Sequence, residues 1–151
     1  MSLDDIEKTR IGVSIGSGIG GLGSIEDNAL ILGDKGPRKI SPFFVPGAII
    51  NMASGNVAIK YNLQGPNISI VSACSSAGHS IGYSARTISY GDADIMITGG
   101  AEAGITPLGL AGFNAAKALS TNNENPEQAS CPWDKKSCLL YTSDAADDLW
   151  C

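Results

Sequence analysis

Cys74 is the residue of this chain best placed to bond covalently to a substrate. It stands in residues 66–83, P-N-I-S-I-V-S-A-C-S-S-A-G-H-S-I-G-Y, where an apolar, β-branched run (Ile68, Ile70, Val71) predicts a buried strand. The small residues after it can start a helix, so the thiol falls at a strand-to-helix elbow. Unpaired N–H groups and the positive end of the helix dipole favour a thiolate over a thiol at such a place, which suits nucleophilic catalysis. Free cysteine is also a common small core residue, and spacing alone leaves both readings open. His79, the single histidine, follows five positions later. Helical neighbours are three and four apart, so it is poorly aimed at the sulfur and a Cys–His dyad is not expected.

Two further stretches invite chemistry. Residues 16–21, G-S-G-I-G-G, fit the glycine pattern of a dinucleotide-binding turn. A second strand ending in an acid about twenty positions on is missing, because Asp34 leads into the turn residues K-G-P-R-K. Glycines that allow close backbone approach are therefore the better account. Glu102 follows a strand and could act as an acid or base, but a lone carboxylate there equally suits nearby backbone amides, and it is read as structural. Cysteines 74, 131, 138 and 151 form no C-x-x-C pair, so neither a metal site nor a redox dithiol is expected, and disulfides are not anticipated.

The elements that must position these groups follow in order. A strand is predicted over 11–15, a helix over about 22–32, a proline-rich non-helical connection over 35–46 and a helix over 46–61. The elbow strand comes next, then a helix to Tyr90 stopped by Gly91, a strand over 94–98 and a helix over 107–119. This succession predicts an α/β fold, a mostly parallel sheet covered by helices. Phe43 and Phe44 on the connection must pack on their own core or on another subunit. Phe113, a large ring on a small-residue face, either fills a core or shapes a cavity wall.

With 151 residues, 43% of them hydrophobic, the chain suffices for about one modest domain. A net charge of -5 argues against general nucleic-acid binding. Yet residues 35–91 carry no Asp or Glu and hold Lys35, Arg38, Lys39, Lys60 and Arg86, a basic middle in an acidic protein. No apolar run is long enough to span a membrane and the start is acidic, so the cytoplasm is the expected compartment.

Three separated motifs, I-V-S-A-C-S-S-A-G-H-S-I-G, Y-G-D-A-D-I-M-I-T-G-G-A-E and L-S-T-N-N-E-N-P-E-Q-A-S-C-P-W-D-K, resemble the β-ketoacyl-acyl carrier protein synthases. The likeness, over about residues 4–135, is greatest to the type II elongating ketosynthases of fatty-acid synthesis. It implies part of a thiolase-like fold, the central portion of its first pseudo-repeat. It also implies a homodimeric, cofactor-free parent enzyme that takes acyl and malonyl groups from acyl carrier protein. By the same resemblance Cys74 carries the growing acyl chain as a thioester, with its own N–H as the first oxyanion donor. Ile19, Gly109 and Phe113 line the acyl pocket, while Phe44 and Val45 close the far end of the other subunit's tunnel. Arg38, Lys39 and Lys117 dock the carrier protein. The family's two histidines, lysine and second oxyanion amide belong to motifs missing from this chain, so the isolated polypeptide is expected not to condense. A non-catalytic chain-length partner usually lacks the nucleophile retained here. A polyketide ketosynthase is a further alternative, although G-P-R-K-I-S-P-F-F with G-S-G-I-G-G favours the elongating branch.

The likeness places a partial ketosynthase domain at residues 1–136. Residues 137–151 contain C-L-L-Y-T-S-D-A-A-D-D-L, which resembles translated sequencing adapter. This tail is expected to be unrelated to the domain and poorly ordered.

Overall fold

The computed structural model describes residues 7–131, and the predicted tail at 137–151 lies outside them. The chain divides into two compact units, Met1–Thr106 and Pro107–Cys151.

The first unit is built on a three-stranded parallel sheet. Strand β1 (Ile11–Gly16) lies between β2 (Asn67–Ile68) and β3 (Ile95–Gly100). Helices α1 (Leu22–Lys35), α2 (Phe44–Ala48) and α3 (Met52–Tyr61) connect β1 to β2, and α4 (Ser76–Ser89) connects β2 to β3. The α/β class and the parallel sheet are as the sequence predicts. As the central strand, β1 is covered on both faces, and Ile11 and Val13 are 0% and 1% exposed. They form the core with Ala58 and Leu63, against which Ile15, Val57, Ile95 and Ile97 pack. Arg10, just before β1, donates to the Gly91 carbonyl at 2.9 Å and pairs with Asp94 at 2.6 Å, tying the start of β1 to the turn before β3.

Small residues set the spacing of helices and sheet. The α4 face holding Ser76, Ser80, Ser84 and Thr87 is buried. A Cβ on Gly16 would lie 2.7 Å from the carbonyl oxygens of Ile70 and Ser76, so only glycine lets that strand end meet the helix start.

In this first unit three predicted elements differ. The helix expected over 46–61 is two helices, broken at Ile49, whose ψ is 138°. The Gly21 N–H donates to the Ala48 carbonyl at 3.0 Å, and that bond occupies the acceptor a continuing helix would use. The elbow strand is a two-residue edge strand instead of a buried one, with Ile68 and Val71 37% and 56% exposed. Its ladder ends where the Ser54 hydroxyl enters, accepting the Ile15 N–H at 2.8 Å and donating to the Ile68 carbonyl at 3.0 Å. Finally, α1 runs a turn beyond the predicted end, to Lys35.

In the second unit, α5 (Pro107–Ala115) starts on the proline, where a missing N–H costs nothing. It stops short of the predicted 119 because Lys117 turns left-handed at φ 57°, and the Ala118 N–H closes back on the Phe113 carbonyl at 2.8 Å.

Candidate active site

Cys74 lies in a single 3-10 turn, Ala73–Ser75, directly ahead of α4, and it is exposed. Ala73 has φ 49°, a left-handed conformation that a residue with a Cβ adopts at a cost of about 1–2 kcal/mol. Hydrogen bonds hold that turn. The Ser76 hydroxyl donates to the Ala73 carbonyl at 2.7 Å and accepts the Ser72 N–H at 2.9 Å, while the Ser75 N–H donates to the Ser72 carbonyl at 3.0 Å. The result is a sharp, pinned elbow presenting a thiol at the start of a fourteen-residue helix. His79 does not complete a dyad. Its Nδ1 is engaged by the Ser72 hydroxyl at 2.6 Å and the ring is exposed.

The glycine run ends β1 and forms the turn into α1. Its donors are already filled from within the chain: Glu102 Oε2 accepts the N–H groups of Gly18 and Ile19 at 2.6 and 2.8 Å, and Oε1 accepts that of Gly20 at 3.3 Å. Partial burial works against ionisation of Glu102, but the Ile19 amide, the Ser17 hydroxyl and the Gly18 and Gly20 amides outweigh it and hold the carboxyl below its ordinary range. A ring of amides that already holds a carboxylate does not receive a pyrophosphate. The structural reading of Glu102 and the close-approach reading of the glycines therefore account for the motif. Gly20, at φ 89°, takes a backbone shape that other residues rarely adopt.

This loop carries Ile19 and adjoins the elbow, since a Cβ on Gly18 would lie 3.4 Å from the Ala73 carbonyl oxygen. On its other side it meets the end of α2, whose first residues are Phe44, half-buried, and Val45, exposed. Phe43 is 77% exposed, which removes the reading in which both rings pack into their own core. Arg38 and Lys39 share an exposed 3-10 turn, Pro37–Lys39. In the second unit Gly109 is buried on α5, Phe113 is exposed on the same helix, and Lys117 is exposed just beyond it.

A cleft of about 340 Å³ is lined by Ser17, Gly20, Gly47, Ile50, Asn56 and Glu102, among others. Ser54, fully buried between β1 and β2, was not singled out by sequence reasoning. A hydroxyl amid the alanines and glycines of a helix was its only signal. Among the described residues no group of three or more His, Cys, Asp or Glu could hold a metal, and no helix is long and apolar enough to cross a membrane.

A parallel α/β sheet with a cysteine on a strained elbow ahead of a helix defines a class of thiol-bearing α/β proteins. Within it, this chain belongs to the β-ketoacyl synthase family: residues 1–139 match the family model described as beta-ketoacyl synthase, N-terminal domain. It is 60% identical over 135 residues to a 3-oxoacyl-(acyl-carrier-protein) synthase 2 of Coxiella burnetii, covering 89% of this chain and 33% of that protein. With the synthase of the same name from Vibrio cholerae it shares 58% identity over 146 residues, 97% of this chain and 35% of the relative. A crystal structure of a beta-ketoacyl synthase from Burkholderia phymatum STM815 superposes with a TM-score of 0.78 at 27% identity, covering 90% of this chain and 33% of that one. The chain thus spans about a third of the length of the relatives it matches.

Proposed function

We propose that this chain is the nucleophile-bearing part of a fatty-acid elongating ketosynthase, and that Cys74 is its acyl-accepting residue. The carrying observation is the elbow, an exposed thiol on a turn strained at Ala73 and pinned by Ser76. In the first stage the Cys74 thiolate attacks an acyl thioester, and the carrier thiolate leaves as the Cys74 thioester forms. The Cys74 N–H is the first donor to the oxyanion of that step. In the second stage, performed by the full-length parent, a malonyl thioester loses carbon dioxide. Its carbanion attacks the acyl carbonyl, expelling the Cys74 thiolate.

Acyl carrier protein is the proposed donor of both groups, and the exposed cations Arg38, Lys39 and Lys117 suit an acidic carrier. Ile19, Gly109 and Phe113 are proposed to line the acyl pocket of the parent. Phe44 and Val45 are assigned to the neighbouring subunit's pocket in a homodimer. Residues 1–136 form the ketosynthase portion of this reading and 137–151 an unrelated tail. Retention of Cys74 speaks against a non-catalytic chain-length partner.

The test is incubation with an acyl-carrier protein, followed by mass mapping. The expected result is one acyl group on Cys74, at least a hundredfold less adduct in Cys74→Ala, and no condensation product when malonyl-carrier protein is added. An adduct on Cys131 in place of Cys74 would remove the elbow from the mechanism. Normal turnover would overturn the view that this chain, whose one histidine is bonded to Ser72, cannot condense.

A further inference from the structure

We propose that Glu102 is a positioning residue for Cys74: its carboxylate moulds loop 17–20, and that loop lies against the left-handed Ala73 that immediately precedes Cys74. The inference rests on the reading of Cys74 as the acyl acceptor and adds a residue to it.

The geometry forms a continuous chain from β3 to the elbow. Glu102 stands two residues beyond β3, at Gly100, and gathers three successive amides with both of its oxygens. The Ser17 hydroxyl favours the charged carboxylate and accepts the Gly20 N–H at 3.2 Å, so the loop is closed on itself as well as on the carboxylate. Charge-assisted bonds of this kind are stronger than neutral ones, and a carboxylate is acceptor-only, which matches a cup of donors. The middle of this cup is Gly18. A Cβ there would meet Glu102 Oε2 at 3.0 Å on one side and the Ala73 carbonyl at 3.4 and 3.5 Å (oxygen and carbon) on the other. Gly18 is therefore the spacer between carboxylate and elbow. The same Ala73 carbonyl oxygen accepts the Ser76 hydroxyl, which itself pins Ser72. A left-handed alanine persists only where its surroundings over-determine it; Ser76 holds one side of Ala73, and the Glu102-shaped loop lies close on the side where Gly18 has no side chain.

The groups facing Glu102 are the Ser17 hydroxyl and the amides of residues 18–20, none of which titrates near neutrality. Its ionisation can therefore be followed at those amides. Nuclear magnetic resonance of the whole chain across acidic pH should show the Gly18 and Ile19 amide protons moving together in one step, centred below the ordinary glutamate range. The step should vanish in Glu102→Gln, which keeps the shape but places a donor where an acceptor stood. At neutral pH the same variant should slow alkylation of Cys74 about threefold or more relative to Cys131 of the same molecule, because small displacements of a reacting group carry large kinetic penalties. Wild-type amides that fail to titrate, or an unchanged Cys74-to-Cys131 labelling ratio in a folded Glu102→Gln, would overturn the proposal. The wild-type titration needs no variant and so stands if the variant does not fold. Failure of wild-type Cys74 to take an acyl group would remove the proposed function while leaving the amide titration intact, so the two failures are distinguishable.

Discussion

Two strand-to-helix turns sit side by side in the first unit and are finished in opposite ways. After β1, the glycine turn points its amides at Glu102 and is closed by an anion from its own chain. After β2, the turn at Ala73–Ser75 is held from behind by the buried Ser76 hydroxyl and leaves Cys74 exposed in front. The first uses its donors for rigidity, and the second stores strain at Ala73 and leaves its thiol exposed. A motif that reads as a ligand cradle can thus be scaffold, while the chemistry is assigned to a neighbouring turn with no glycine in it.

Substitutions can break or sharpen this contrast. The largest effect is expected from Gly16→Ala, whose methyl would meet two backbone carbonyls that cannot move aside. Overpacking of this kind should cost about 3 kcal/mol in urea unfolding and disturb both turns together. A smaller and opposite effect is expected from Ala73→Gly. Relief of about 1–2 kcal/mol of left-handed strain, less about 0.5–1 kcal/mol for the freedom glycine loses on folding, should leave a net gain of no more than about 1.5 kcal/mol. Selective labelling of Cys74 should fall as its turn loosens, so greater stability with less reactivity would sharpen the contrast, and a loss of stability would break it.

The smallest effect is on acid stability. Glu102 and Asp94 both have carboxyls held below their ordinary values, Asp94 by its hydrogen bond to Arg10. Their stabilisation is complete above the unfolded carboxylate range and is lost as pH falls through the lower folded values. Because the Asp94–Arg10 pair is largely exposed, replacing Asp94 should barely alter the acid limb of a stability–pH curve, whereas Glu102→Gln should flatten that limb measurably.

Much of this arrangement is legible in the residues. Alternation and β-branching mark β1, small residues followed by Gly91 mark the extent of α4, and the position of Glu102 after a strand suggests an acceptor for amides. The breaks were not legible, because each depends on a partner distant in sequence. Nothing local near residue 48 announces that the Gly21 amide will take its carbonyl and divide the helix. Likewise Ile68, Ile70 and Val71 carry the composition of an interior strand, but the run lies on the sheet edge and pairs for two residues only. The pocket, docking and subunit roles assigned to Ile19, Phe44, Val45, Arg38, Lys39, Gly109, Phe113 and Lys117 came from family likeness, since no spacing rule distinguishes a pocket wall from ordinary packing.

Ser54 bears on where Cys74, the proposed nucleophile, stands at all. Its oxygen occupies the seam between the first two strands and satisfies one backbone group from each, so β2 is released from the sheet just before it bends toward α4. Had that seam been zipped by main chain alone, the strand would run on and carry residue 74 past the mouth of the helix. One alcohol, contributed from twenty positions upstream, acts as the stop that decides which side chain arrives at the bend.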